Sequence, residues 1–352
     1  MRPRYRELAK GQTTFAGHIG VFLDFRQNAM HILSPIQQRA EWAFFTNGDD
    51  VEVQKLWARE QGLPARTSIG DILKAQIEHH RADVLYNMDA TGWNSEFIRS
   101  LPGCLKAVIA WHAVPAVDDV AFSDYDLVVN NFPDVAALIA KQGVRIDYFF
   151  PAYDPEMAPY AAREDRPIDL MFVGGYTRHH SQRATILETV SKLGQRYNVA
   201  FHLDRSRLCA LAESPIGRML PLAKHRRPPD VMAVARDPVF GRDYYAALST
   251  AKIVFNGAID LSGLYRGNMR CFETMGVGAM LLSDEGRYPE GMTDGETLMI
   301  YKSANQAVEL VEAFLKNPAQ RLDLARNGHD MVSKRYSKQA QWARFEELAA
   351  SI

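Results

Sequence analysis

The sequence predicts an α/β protein made of two consecutive parallel-sheet domains. Three observations predict it. Short apolar runs alternate with helical patterns at the rhythm of strand–helix–strand units. The alternation pauses once, where Pro151, Pro155 and Pro159 punctuate a short stretch, and then restarts. A chain of 352 residues is long for one hydrophobic core and comfortable for two.

In the first domain Ile19–Leu23 reads as a buried strand, followed by a helix near Ala29–Arg39. Glu41–Thr46 reads as a second strand, closed by the turn Asn47-Gly48-Asp49-Asp50. Helices are expected over Val51–Gln61 and Ile69–His80, the latter capped by Ser68. Strands follow at Asp83–Asn87, Ala107–Trp111 and Leu127–Asn130, then a helix over Val135–Gln142 stopped by Gly143, then a strand at Ile146–Phe150. In the second domain Ile168–Val173, Val199–Leu203, Ile253–Asn256 and Ala279–Ser283 read as strands. Helices are expected over Arg183–Leu193, Tyr244–Thr250, Met269–Met275, Val308–Leu315, Gln320–Val332 and Gln339–Ala349. Residues 204–241 are the least legible. Their basic run Lys224-His225-Arg226-Arg227-Pro228-Pro229 reads as a solvated loop, or as a patch for an anionic acceptor or a membrane surface.

Composition narrows the function classes. Lys and Arg total 41 against 42 Asp and Glu, a formal net charge of −1, so nothing global favours nucleic acid. Cys104, Cys209 and Cys271 lie far apart at no metal or redox spacing, a reduced set that fits the cytoplasm. His179-His180 has no carboxylate or cysteine partner at useful spacing, and no metal ligand is expected there. No apolar run approaches the ~20 residues a membrane span needs. The basic stretch Met1–Lys10 has no apolar segment behind it, unlike a secretory signal.

In open parallel sheets, ligands sit beyond the carboxyl ends of the strands. Three segments of the second domain fall there: Gly174-Gly175-Tyr176-Thr177-Arg178, Asn256 to Asn268, and Ser283-Asp284-Glu285-Gly286. Gly174-Gly175 permits close backbone approach of a phosphate, and equally a tight strand–helix turn with no ligand. Arg178 and Arg183, just beyond, could hold a diphosphate or lie on the surface. The loop ahead of Met269 brings Arg266 and the N–H groups of Gly267-Asn268 to a helix N-terminus, where an anion is stabilised. One turn further in, Glu273 can accept hydrogen bonds from hydroxyls, or be a helix-surface carboxylate favoured by the dipole. Arg270 can pair with it or bind phosphate. A site offering diphosphate and sugar-hydroxyl contacts together suits a nucleotide-sugar.

In the first domain the strand-end candidates are Asp24 and Arg26, Asn87 to Trp93, and Trp111-His112. Asp89 and Trp93 put a carboxylate and an aromatic ring at one rim, as sugar binding often does. Asp89 and His112 are the candidate catalytic residues, although a lone histidine such as His112 is more often a satisfied structural residue. His18 precedes the first expected strand, at the end away from ligands.

Arg270-Cys271-Phe272-Glu273-Thr274-Met275-Gly276-Val277-Gly278-Ala279 is similar to the R-x-F-E-x-x-x-x-G pattern of group 1 (family 4-like) glycosyltransferases, closest to the spore-maturation-type (CgeB-like) branch. The resemblance continues through Asp294-Gly295-Glu296-Thr297, Tyr301, Asn317-Pro318 and Arg326-Asn327-Gly328 to Tyr336-Ser337, Trp342 and Phe345. It is good from about Asp169 onward and weak before about Asp83. The resemblance implies the GT-B architecture, two Rossmann-like domains facing each other across a cleft. Residues 1–152 would be the acceptor domain, 153–335 the nucleotide-sugar domain, and 336–352 a helix packing back on the first. It also implies sugar transfer from a nucleoside-diphosphate-sugar to a hydroxyl of a glycan, lipid-linked glycan or protein, with retention of configuration, no metal and no cofactor. Glu273 would bind the ribose hydroxyls, and Arg183 matches a basic position of related transferases. Gly174, Gly175, Arg178, Asn256, Arg266, Gly267, Asn268 and Arg270 would complete the donor site. If the product is a surface or membrane-linked glycan, the enzyme works at the inner face of a membrane. The chain departs from the family at Tyr265, where a second glutamate stands eight residues before the first. A nucleotide-sugar epimerase and a non-catalytic nucleotide- or carbohydrate-binding protein are the alternatives. A dinucleotide oxidoreductase lacks its G-x-G-x-x-G after the first expected strand.

Overall fold

The computed structural model describes residues 2–114, 121–176, 181–257 and 263–352. The chain divides into two compact units, Met1–Ala152 with Lys338–Ile352, and Tyr153–Ser337.

The first unit is built on a parallel sheet of four strands: β1 (Val84–Asn87), β2 (Ala107–Trp111), β3 (Leu127–Asn130) and β4 (Ile146–Tyr148), lying side by side in that order. Their fully apolar central positions, Ile109, Leu127 and Val129, pack with Phe149 against Phe345 and Leu348 of the closing helix Lys338–Ala350. Lys338 seats that helix. Its buried ammonium donates to the carbonyls of Ala29 (2.7 Å), Met30 (3.1 Å) and Ile32 (2.6 Å). The chain there makes a 3₁₀ turn, Ala29–His31, and a helical turn, Ser34–Gln37, in place of the expected helix Ala29–Arg39. Helices Val51–Glu60 and Ile69–His80 form, the second with its expected cap, Ser68 Oγ accepting from the Asp71 N–H at 3.1 Å.

The two earliest expected strands are absent. Phe15–Asp24 is a helix, so Ile19–Leu23 is helical and Asp24 ends a helix, not a strand. Thr14 caps it through a bond from the Gly17 N–H at 3.1 Å, and Phe15 and Ile19, four apart, face the core together. Glu41–Thr46 joins no ladder. Its aromatic residues are used on helices instead: Phe44 stacks on Phe15 and on His80, and Phe45 stacks on Phe22.

The second unit carries six parallel strands: β5 (Ile168–Gly174), β6 (Val199–Leu203), β7 (Ala235–Arg236), β8 (Ala251–Phe255), β9 (Met280–Asp284) and β10 (Met299–Tyr301). Their order is β10-β9-β8-β5-β6-β7. Phe172 of β5 sits in register with Phe201 of β6 and Phe255 of β8, all with no solvent exposure, at the centre of a core closed by Leu187, Val190, Val311 and Phe314 of the flanking helices. The short edge strands β7 and β10 and the helical turns Arg207–Glu213 and Pro215–Arg218 had no sequence signal strong enough to expect them. Among the described residues no helix is long and apolar enough to cross a membrane.

Candidate functional site

Strand order in the second unit reverses between β5 and β8. The chain builds outward through β6 and β7, then returns to add β8, β9 and β10 on the other side. Loops leaving adjacent strands in opposite directions part there, and the crevice at the strands' carboxyl ends is where such sheets bind ligands. Here that crevice lies between Gly174-Gly175, after β5, and Asn256-Gly257, after β8.

Two arginines converge on it. Arg183 comes from the first turn of helix Ser181–Ser191 and Arg270 from the first turn of helix Met269–Gly276. Their guanidinium carbons stand 5.0 and 5.3 Å from the centre of the Phe172 ring. Gly174 makes the room. A Cβ there would lie 2.7 Å from Nη2 of Arg183 and 3.0 Å from Nη2 of Arg270, at a φ of +151° that side chains rarely adopt. Burial, then the neighbouring charge of Arg270, lowers the Arg183 pKa to about 10. Among the described residues neither Arg183 Nε nor Arg270 Nε has a hydrogen-bond partner. Two like charges with open N–H groups in a buried crevice are unfavourable until an anion joins them.

Asn256 holds Arg270 in place. It is fully buried, its Oδ1 accepts from Arg270 Nη1 at 2.9 Å, and its Nδ2 donates to Ser283 Oγ at 3.0 Å. The Tyr301 hydroxyl donates to the Asn256 carbonyl at 2.9 Å. Asn256 is therefore a positioning residue. Asn268 is the N-cap of helix Met269–Gly276 but makes no side-chain capping bond, which leaves the helix end's N–H groups uncovered by it. Gly267 has a packing reason, since a Cβ would come within 2.9 Å of Pro289 Cγ.

Glu273 lies one turn further in, 8% exposed, and accepts from the Tyr244 hydroxyl at 2.9 Å. Burial pushes its pKa up to about 7, against the opposing pull of Tyr244 and Arg270. It is thus not the solvated helix-surface carboxylate that the sequence also allowed.

Arg266 is engaged within the loop: its Nε donates to Asp284 Oδ2 at 2.7 Å and its Nη1 to the Gly263 carbonyl at 2.7 Å, which ties the loop to β9. Gly175 is open: a Cβ there would meet nothing nearer than Asp204 Oδ2 at 4.0 Å. Arg178, His179-His180 and residues 258–262 of the second loop lie outside the described residues. Sequence reasoning missed Phe172, hidden inside a strand, and Tyr244, whose partner is 29 residues away.

The first unit offers a different kind of space. A cavity of about 820 Å³ runs beside β1, the edge strand of its sheet, within the size range of small-molecule sites. Trp42, Trp93 and Trp342 line it together with Asp49, Asp89 and Glu346. Trp42 is 70% exposed and packs on Trp342 at 5.7 Å between ring centres. Asp89 also accepts from the Gly92 N–H at 3.0 Å, closing a turn. His112 does not line this cavity. It is buried with its ring against Phe122, 5.1 Å between centres, and it follows β2 as Asp89 follows β1, the neighbouring strand. Asp24 pairs with Arg39 at 3.1 Å, and His18, in mid-helix, has Nε2 3.1 Å from the Gln12 carbonyl.

Residues 184–347, a little under half of the chain, match the family model described as glycosyl transferase-like. The chain has the GT-B fold, and its matched segment is similar to glycosyl transferases. No curated protein sequence matches it significantly. Solved structures of similar fold include a glycosyltransferase from Rickettsia africae (TM-score 0.54, 8% identity, covering 88% of this chain and 83% of that one). Another is HepE of Anabaena in complex with UDP and glucose (TM-score 0.52, 11% identity, 81% and 82% covered). A third is sucrose-phosphate synthase from Thermosynechococcus elongatus (TM-score 0.50, 14% identity, 80% and 76% covered). The matched segment contains Arg183's helix from residue 184 onward, Arg270 and Glu273, and its own chemistry offers paired cations beside a buried acceptor carboxylate.

Proposed function

We propose that the enzyme transfers a sugar from a nucleoside-diphosphate-sugar to a hydroxyl acceptor, with the donor diphosphate on Arg183 and Arg270 and the ribose hydroxyls on Glu273. The observation that carries this reading is the convergence of two guanidinium groups, their Nε atoms unpartnered, on Phe172 at the point where strand order reverses. As the bond from the sugar's anomeric carbon to the diphosphate breaks, negative charge builds on the leaving phosphate. The acceptor oxygen forms the new bond and releases its proton. Fixed cations already in place stabilise that charge without reorganisation. They supply what a divalent metal would otherwise supply, so transfer is independent of metal. Retention of configuration and kinship with the spore-maturation-type branch rest on the Arg270-Cys271-Phe272-Glu273 stretch. UDP is the first nucleotide to try, given HepE.

For the acceptor, the aromatic and carboxylate lining of the first unit's cavity supports a sugar-bearing molecule. Indole rings stack on sugar faces, and Asp49, Asp89 and Glu346 accept from hydroxyls. The three free cysteines support a cytoplasmic enzyme.

Thermal unfolding with UDP, GDP, CDP, TDP and ADP, each with and without EDTA, tests the donor half. One nucleotide should raise the midpoint regardless of EDTA, and the shift should fade in Glu273→Ala. If no nucleotide moves the midpoint, the donor site is misplaced. Product altered at the sugar with no acceptor present would identify an epimerase.

A further inference from the structure

Between β6 and β7 the chain makes an excursion that the donor site does not use. Helix Arg207–Glu213 and the helical turn Pro215–Arg218 fold on each other. Ser206 and Ser214 cap them, accepting from the Cys209 and Gly217 N–H groups at 3.0 Å each. Gly217 lets the two touch along the backbone, since a Cβ there would overlap the Leu211 carbonyl.

What this hairpin shows to solvent is apolar. Leu208 is 42% exposed, Leu211 45%, Ile216 71%, Met219 88% and Leu220 45%. Leu208 and Leu211 share one helix face, while Ala212 and Glu213 face inward. Single exposed apolar residues need no explanation, but five within residues 208–220 form a patch, and such patches mark interaction sites.

The sequence around the patch is basic. Arg205, Arg207, Arg218, Lys224, Arg226 and Arg227 stand against Glu213 alone, in a chain whose formal net charge is −1. Glu213 faces inward as a clamp. Arg227 holds it through two bonds, 2.6 and 2.8 Å, and Arg205 through one at 3.0 Å, which ties the hairpin to the segments that flank it.

We propose that this hairpin docks the enzyme on an anionic lipid surface. Short helices with apolar side chains outward and basic residues close by in the sequence suit the boundary between headgroups and acyl chains, where both features are stabilised. Nucleic acid would reward the charge but not Ile216 and Met219. The proposal stands apart from the donor site and does not depend on it.

The test is co-sedimentation of the full chain with vesicles of phosphatidylcholine, alone or mixed with phosphatidylglycerol. The expected result is at least about ten-fold more binding to the anionic vesicles, weakened by salt. The double variant Ile216→Ser, Met219→Ser should lose about ten-fold of that binding. Both side chains are mostly exposed, so its unfolding midpoint and its nucleotide-induced stabilisation should match the parent. Absence of binding to anionic vesicles, or binding that ignores the double variant, overturns the proposal. So does a concentration-dependent dimer that the same variant disrupts without any vesicle binding, which would assign the face to a second copy of the chain.

Discussion

The two sheets are laid down differently, and the difference decides how each unit can hold a ligand. In the second unit the chain turns back on itself, so β5 and β8 become neighbours although β6 and β7 separate them in sequence. In the first unit β1, β2, β3 and β4 run outward without turning back. A reversal opens a crevice at a fixed address, just after two central strands, and places helix N-termini beside it. A sheet that never reverses has no such address. Its space opens beside the edge strand, walled by residues from Tyr5 to Ala349. The first arrangement concentrates charge on few residues, and the second spreads contact over many. Substitutions at the crevice should therefore act steeply.

The largest effect is expected from Arg183→Ala combined with Arg270→Ala. Charge-assisted bonds to phosphate are worth about 1.5–3 kcal/mol each. Affinity for the nucleoside diphosphate should fall by roughly two to three orders of magnitude, measured by calorimetry, with little change in the apoprotein's unfolding midpoint. A loss of only a few-fold would break the comparison, because the crevice would then bind as diffusely as the cavity.

The same contrast explains what was legible in the sequence. Gly174-Gly175 and Asn256 lie at the ends of strands whose continuous apolar runs mark them as buried on both faces, and the Arg270–Glu273 stretch carries its own sequence pattern. The helix Ile69–His80 announced itself through Ser68 and a clean helical period. The N-terminal stretch did not, because five apolar residues such as Ile19–Leu23 suit a strand or a helix equally. Thr14 and the aromatic stacking of Phe44 and Phe45 decided the matter, and stacking is a tertiary event. The pairing of Arg266 with Asp284, eighteen residues on, cannot be seen in a string. Tyr244 carries no motif at all. Its hydroxyl meets Glu273, 29 residues on.

Gly174→Ala should have the next largest effect. Its Cβ would press on both guanidinium groups from a φ of +151°, so the pair must spread or the strand end must shift. Strain of this kind costs about 1–3 kcal/mol, and nucleotide affinity should fall about ten-fold. Gly175→Ala, with no neighbour closer than 4.0 Å, is the control and should stay near the parent. Equal losses in both would mean that the loop's flexibility matters and the arginine pair's spacing does not.

The smallest effect concerns protons. Burial holds the Glu273 carboxyl near a pKa of about 7, above its ordinary 4.5. Between those values the folded protein binds more protons than the unfolded chain, so Glu273 makes the apoprotein progressively less stable as pH rises through that window. Glu273→Gln should match the parent below it and be the more stable above it. Nucleotide binding has the opposite slope. Ribose hydroxyls donate, and an ionised carboxylate accepts from them better than a protonated one, so affinity should rise about three- to ten-fold as pH passes about 7. In Glu273→Gln that rise should vanish. The Tyr244 hydroxyl donates to the ionised form, so Tyr244→Phe removes a bond that favours ionisation. The midpoint of the affinity profile should then move to higher pH. A profile that ignores Tyr244→Phe but disappears in Glu273→Gln would keep the carboxylate at the ribose and remove the tyrosine from its tuning. A profile unchanged in both would detach the carboxylate from the ligand, leaving the arginine pair as the crevice's whole contribution to recognition.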